Sequence, residues 1–203
     1  MIFGTPALAA EVLLPQSQEV EIKFRIADLK ALQRKLRASG FRRVTPPTHE
    51  FNTLYDLPGQ PLRKRGEILR LRKYGKTWLL THKAKGNKGR HKTRVETETV
   101  VADGPKMAAI LDSLGFRPTF IYEKFRAEWT DGAGHVVLDQ TPLGDIAEIE
   151  GPPAWIDATA RNLGVTQQAY LTDTYADLFV QWKRQTKSSA NAMTFTVIGK
   201  TLH

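Results

Sequence analysis

The chain has 203 residues, 41% of them hydrophobic and 25% charged, with no cysteine and a formal net charge of +9. Disulfides, thiolate metal sites and cysteine nucleophiles are thereby excluded, and a reducing compartment is the natural setting. The basic balance favours anionic partners, among them nucleic acid, nucleotides and polyphosphate.

No apolar run approaches the ~20 residues that cross a bilayer. Residues 1–14 carry no Lys or Arg ahead of their small apolar residues, which argues against a secretory signal despite Ala7-Leu8-Ala9. The expectation is a cytoplasmic protein with no membrane partner. An N-terminal extension over 1–17 precedes one domain over 18–184, and a polar tail over 185–203 ends as an edge strand or a loose segment.

Glu19 to Ile26 alternates charged and apolar residues, the period of a strand with two unlike faces. Asp28 is an N-cap for a helix over 28–39, where Leu29, Leu32 and Leu36 share a face and Gly40 stops it. Pro46-Pro47 reads as a turn, residues 50–56 as a strand, and 68–73 with 77–83 as a hairpin around Tyr74-Gly75-Lys76. A Gly- and Lys-rich loop over 85–92 leads to a strand over 93–101. Val20-Glu21, Ala27-Asp28 and Gly40-Phe41-Arg42 then recur as Val95-Glu96, Ala102-Asp103 and Gly115-Phe116-Arg117, which predicts two related halves with a pseudo-two-fold. Strands over 121–130, 135–139 and 147–150 follow. Helix takes over from Trp155, with Tyr175, Leu178, Phe179 and Trp182 as an apolar face expected to pack outside the sheet.

Read by parity, the strands carry ionic residues on one face. Glu19, Glu21 and Lys23 share it, as do Arg70 and Arg72, Thr81 and Lys83, and Arg94, Glu96 and Glu98. Lys124, Arg126 and Glu128 follow, then Asp139, then Glu148 and Glu150. The other parity is largely apolar and needs helices to cover it. About eight antiparallel strands can close on themselves and turn the ionic face inward. Buried charges are costly unless paired or occupied by a ligand, so a binding purpose is favoured over an open sheet with a solvated charged face. Rows of Arg and Lys grip phosphate oxygens. Clustered acids repel phosphate unless a cation intervenes, and hard oxygen donors point to Mg²⁺ or Mn²⁺. Together these describe a triphosphate site.

The same residues resemble a known family. Glu19-Val20-Glu21-Ile22-Lys23 resembles the ExExK strand of CYTH-domain proteins, the triphosphate tunnel metalloenzymes. The resemblance continues through Leu69-Arg70-Leu71-Arg72, Leu80-Thr81-His82-Lys83, Arg94-Val95-Glu96-Thr97-Glu98 and Glu123-Lys124-Phe125-Arg126. It extends to Leu138-Asp139 and to residues 143–150, and covers about 18–182. It implies an α+β fold, a closed eight-stranded antiparallel β-barrel with helices packed outside. Class IV adenylate cyclases, thiamine triphosphatases and tripolyphosphatases are members. By resemblance, Glu19, Glu21, Glu148 and Glu150 match metal-binding acids for Mg²⁺ or Mn²⁺, with Asp139 in support. Lys23, Arg70, Arg72, Lys83, Arg94, Lys124 and Arg126 match triphosphate-binding positions, and Glu96 and Glu98 match acids of the tunnel wall. The catalytic set is Lys23 with Glu19 and Glu21. Lys23 is the candidate for proton handling, its pKa expected to fall beside other cations. Tyr55 is a candidate for positioning the nucleophile, although a strand tyrosine more often serves packing.

The expected function is metal-dependent hydrolysis of a small triphosphate. The alternatives are cyclisation of ATP to cyclic AMP, and a non-catalytic polyphosphate or RNA binder, which accounts for the charge but not for the paired acids. A homodimer is left open. Residues 85–90 lack the Walker pattern, Arg63-Lys64-Arg65 reads as a solvated turn, and His49, His82, His91 and His135 lack metal-ligand spacing.

Overall fold

A computed structural model describes residues 17–87, 89–171 and 173–199. The expected N-terminal extension, apart from Ser17, lies outside the described residues, as do Lys88 and residues 200–203 of the tail.

Eight strands form: β1 (Ser17–Arg25), β2 (Arg42–Asp56), β3 (Ile68–Tyr74), β4 (Thr77–Lys83), β5 (Lys92–Val101), β6 (Arg117–Thr130), β7 (His135–Thr141) and β8 (Gly144–Glu150). They close in the order β1-β5-β4-β3-β2-β6-β7-β8, every neighbouring pair antiparallel. Closure leaves one wall facing in and one facing out, so each strand's alternation acquires a definite meaning.

The expected repeat has a structural counterpart. Exchanging β1–β4 with β5–β8 maps the closed strand order onto itself. Glu19 pairs directly with Arg94, and 94 − 19 is 75, the offset of the repeated sequence. On the opposite wall the pairs His49↔Phe125 and Glu50↔Lys124 differ by 76 and 74, so they bracket the same offset. A pseudo-two-fold thus runs through the β1/β5 and β2/β6 contacts. Its helices match too. In α1 (Leu29–Ala38) the Asp28 carboxylate accepts from the Ala31 N–H at 2.9 Å, and in α3 (Gly104–Ser113) Asp103 accepts from the Lys106 N–H at 2.9 Å.

The outer wall is covered in two patches. Ile22, Phe24, Trp129, Val136, Leu138, Ala147 and Ile149 pack with Leu32 and Leu36 of α1 and with Ile156 and Ala160 of α4 (Pro153–Asn162). Leu71 and Tyr55 pack with Leu111 of α3. Tyr55 is therefore outer-wall core, on the parity opposite to the ionic residues, and the supporting role expected for it is corrected to packing.

Four further expectations change. Pro46-Pro47 makes no turn; β2 runs through it, because the β6 register shifts between Thr45 and Thr48 and the two residues without N–H groups need no ladder bonds there. Arg63-Lys64-Arg65 lies in a short helix, α2 (Pro61–Arg65), whose first N–H groups donate to Asp56. Helix α5 (Tyr175–Thr186) does not pack on the outer wall. It lies against Leu54, Phe120, Tyr122 and Ile146, which share the parity of the interior ionic residues, so it stoppers the barrel. Beyond it, Met193 bridges to Tyr122 on the β6 edge left free by the shorter β7, and α6 (Phe195–Ile198) replaces the longer edge strand.

Candidate functional site

The inward parity of all eight strands supplies one continuous ionic lining. Glu50, Lys124, Asp139, Glu148, Glu21, Lys23 and Arg70 are all buried. Burial of this many charges is tolerable only in a network, and the lining is one.

At one level stand the acids of β1 and β8. Glu21 faces Glu150 across the β1/β8 ladder. One carboxylate oxygen each from Glu19, Glu21 and Glu150 lies within 4.8 Å of the others. A cleft of about 400 Å³ opens beside them, lined by Glu19, Glu96, Glu150, His135 and the Gly134 and Gly151 backbone. Burial and the neighbouring Glu148, Glu19 and Glu21 push the Glu150 carboxyl well above the usual carboxylate range. Burial and a hydrogen bond with Glu19 raise Glu96 to about 7. Glu19 itself falls to about 2: burial opposes this, but the Glu96 hydrogen bond and Lys83 outweigh it.

Deeper in, cations hold the remaining acids. Asp139 is wholly buried and accepts from Lys124 Nζ at 2.8 Å and from Arg126 Nε and Nη2 at 2.8 and 2.7 Å. Glu148 accepts from Arg126 Nη2 at 2.8 Å and pairs with Lys23 Nζ at 3.3 Å. Asp139 and Glu148 thus stand outside the three-acid cluster. Each is engaged by cations: Asp139 by Lys124 and Arg126, Glu148 by Arg126 and Lys23.

Lys23 is corrected as well. Burial would lower its pKa, but Glu148 and Glu21, the latter at 2.6 Å, outweigh burial and raise it. Lys23 is a firm ammonium here, because its neighbours are acids and not the cations expected from the sequence.

The opposite wall carries the arginines. Glu98 accepts from Arg72 Nη2 at 2.9 and 3.0 Å and from Thr81 Oγ1 at 2.5 Å, and lies 3.6 Å from Arg70. Glu98 therefore orients bases, while Lys83 pairs with Glu96 and reaches Glu19 at 3.4 Å. The Nε groups of Arg70, Arg72 and Arg94 are buried with no hydrogen-bond partner among the described residues. Every interior cation expected from the sequence thus faces this lining.

Residues that sequence reasoning passed over also belong to it. Glu50 is wholly buried, 3.5 Å from both Lys124 and Arg72 and 3.8 Å from Arg126, and Asn52 donates to it at 3.0 Å. Tyr74 donates to Glu128 at 2.9 Å. Lys92 donates to Glu21 at 2.9 Å. The period-two rule applied to β2 and β5 would have found Glu50, Asn52 and Lys92. Tyr175 gave no such signal. It sits on an apolar helix face, yet its hydroxyl lies 2.6 Å from Asp139 Oδ2 and 3.1 Å from Glu148 Oε1.

The site is a closed antiparallel barrel whose interior interleaves acids and bases, with three acids grouped at one level. The CYTH domain family model matches residues 17–152, and the chain belongs to that family. The chain is 28% identical over 136 residues to adenylate cyclase CyaB of Aeromonas hydrophila, covering 64% of this chain and 67% of that protein. A Pyrococcus horikoshii protein superposes with a TM-score of 0.69 at 25% identity, over 81% of this chain and 99% of that one. A Hippeastrum protein, whose structure is described as revealing a dominant triphosphatase activity, matches in fold with a TM-score of 0.59 at 18% identity, over 81% and 96% of the two chains. Family membership implies a divalent metal. The donor set fits one, since three crowded carboxylates offer hard oxygen ligands and burial with the neighbouring acids pushes the Glu150 carboxyl up, a repulsion that a divalent cation would relieve. No helix among the described residues is long and apolar enough to cross a membrane.

Proposed function

We propose that the chain is a divalent-metal-dependent enzyme acting on a linear triphosphate inside the barrel, with hydrolysis as the leading reaction. The observation that carries this reading is the pairing, around one interior, of a three-carboxylate cluster with buried Arg70, Arg72 and Arg94 Nε–H donors that have no acceptor among the described residues. Buried donors cost free energy until something accepts from them, and a chain of phosphate oxygens does so.

In this reading Arg70 and Arg72, held by Glu98, and Lys124 and Arg126, held by Asp139 and Glu50, are preorganised cations for phosphoryl charge. Lys83 and Arg94 extend the grip toward the acid level. Glu19, Glu21 and Glu150 are the residues that would hold Mg²⁺ or Mn²⁺. When bound, such an ion neutralises phosphoryl oxygens and acidifies water. Lys23, kept cationic by Glu21 and Glu148, stabilises charge and does not act as the base.

The Aeromonas adenylate cyclase relative favours a second reading, in which the ribose hydroxyl of ATP attacks and pyrophosphate leaves. The phosphate grip serves both reactions. Incubation with Mg²⁺ or Mn²⁺ and ATP, tripolyphosphate or thiamine triphosphate separates them. Orthophosphate supports hydrolysis, and cyclic AMP with pyrophosphate supports cyclisation. Turnover of none, with polyphosphate binding that persists in chelator and falls steeply with salt, would mean a polyanion binder and end the enzyme reading. Glu19→Gln and Glu150→Gln should each abolish metal-dependent turnover with the fold retained.

A further inference from the structure

A cation entering the Glu19, Glu21 and Glu150 cluster meets a positive charge already seated there. Lys92 is the first residue of β5, directly opposite Glu21 in the β1/β5 ladder. Its Nζ donates to Glu21 Oε1 at 2.9 Å, the same oxygen that Lys23 Nζ approaches at 2.6 Å. The two ammonium groups differ in their commitments. Lys23 is shared with Glu148 at 3.3 Å and lies deeper, whereas Glu21 is the acid that Lys92 engages.

Lys92 is also fixed from behind. Asp157 on α4 pairs with Arg90 and lies 2.9 Å from His91 Nε2, and the Asn87 N–H donates to the Thr93 carbonyl at 2.9 Å. Arg90 and His91, the two residues just ahead of Lys92, are therefore tied to α4.

We propose that Lys92 is a built-in competitor for the divalent cation: it occupies Glu21 in the absence of substrate and passes to the phosphate chain when a metal–triphosphate complex arrives. The proposal rests on reading the three acids as the metal site. A divalent ion at the Glu21 carboxylate and the two ammonium groups on its Oε1 would repel one another at a few ångströms, so binding the ion favours release of Lys92. A triphosphate brings acceptors that take up the released lysine. Metal alone then binds weakly, metal with triphosphate binds tightly, and each ligand strengthens the other by the same factor.

The test is Mn²⁺ binding without activity, with free Mn²⁺ counted by its EPR signal. Lys92→Met is expected to bind Mn²⁺ about tenfold more tightly than the wild type, or better. Lys92→Arg, which keeps the charge, should restore weak binding; Lys92→Gln serves if the Met variant aggregates. Asp157→Asn, which frees the loop without touching the acids, should tighten Mn²⁺ binding in part. Tripolyphosphate should tighten Mn²⁺ binding in the wild type much more than in Lys92→Met. Equal or weaker Mn²⁺ binding by Lys92→Met than by the wild type overturns the competitor and leaves the metal site standing. Absence of Mn²⁺ binding from both proteins overturns both.

Discussion

Tyr175 is the side chain whose role least resembles its surroundings in the sequence. Burial, with Asp139 and Glu148 beside it, raises its pKa well above that of an ordinary phenol, so it stays a donor between two acids. Lys124 Nζ lies 4.7 Å from its ring centroid. Tyr175→Phe keeps the ring and leaves two buried acceptors short of a donor. We expect a loss of about 1–3 kcal/mol, read from the urea midpoint, together with reduced turnover as Asp139 loosens its hold on Lys124 and Arg126. Glu50 carries a pH signature. Burial would raise its pKa, but Lys124, Arg126 and Arg72 outweigh burial and hold it far below 4.5. A carboxylate depressed on folding stabilises above its unfolded pKa, and that stability is lost as pH falls through the acid range. Glu50→Gln should therefore cost about 3–5 kcal/mol at neutral pH and flatten the loss of stability below pH ~4.5, which acid unfolding curves would reveal. Glu50 was legible by strand parity, since Phe51 and Thr53 alternate with it. Tyr175 was not, because nothing in a helical apolar stripe says that its end enters a charged cavity.

Strands and helices follow local rules except where closure overrides them. Asp28 and Asp103 cap equivalent helices in the two halves, so Asp28→Ala and Asp103→Ala should each cost about 1 kcal/mol in chemical unfolding. Gly104 is constrained by space. A Cβ there would lie 2.0 Å from the Trp78 ring, so Gly104→Ala must push α3 off the β3/β4 wall. That should cost about 1–3 kcal/mol, and a nearly silent substitution would disprove the close approach. The alternation of β1, β3, β4 and β5 was readable directly from the chain. The extent of β2 was not, since a proline pair ordinarily ends a strand and is accepted here only at a register shift. Nor was the place of α5. An amphipathic helix shows that one face is covered but not whether a wall or a barrel end covers it.

For the barrel as a whole, ligand binding should appear as stability. Saturating Mn²⁺ at about a hundred times its Kd adds about 2.7 kcal/mol, and Glu150→Gln should abolish the accompanying rise in melting temperature. A rise that persists in Glu150→Gln would place the ion elsewhere. Alternation is a property of neighbours in the chain, which is why the sequence alone could assign an ionic face, a closed antiparallel sheet and most of the residues lining it. The division of labour among those residues is a property of closure. Glu21 meets Glu150, Lys23 meets Glu148 and Arg126 meets Asp139 only because distant strands lie in one register. That register decides which three acids are grouped, Glu19, Glu21 and Glu150, and which two, Asp139 and Glu148, are engaged by bases. It also gives Lys23 acidic neighbours, keeping it charged, and lets a helix beyond the matched family region close the barrel with a phenol. Charge pairing depends on distances of a few ångströms between residues on different strands, 13 positions apart for Arg126 and Asp139 and 125 for Lys23 and Glu148, and no local pattern encodes those distances.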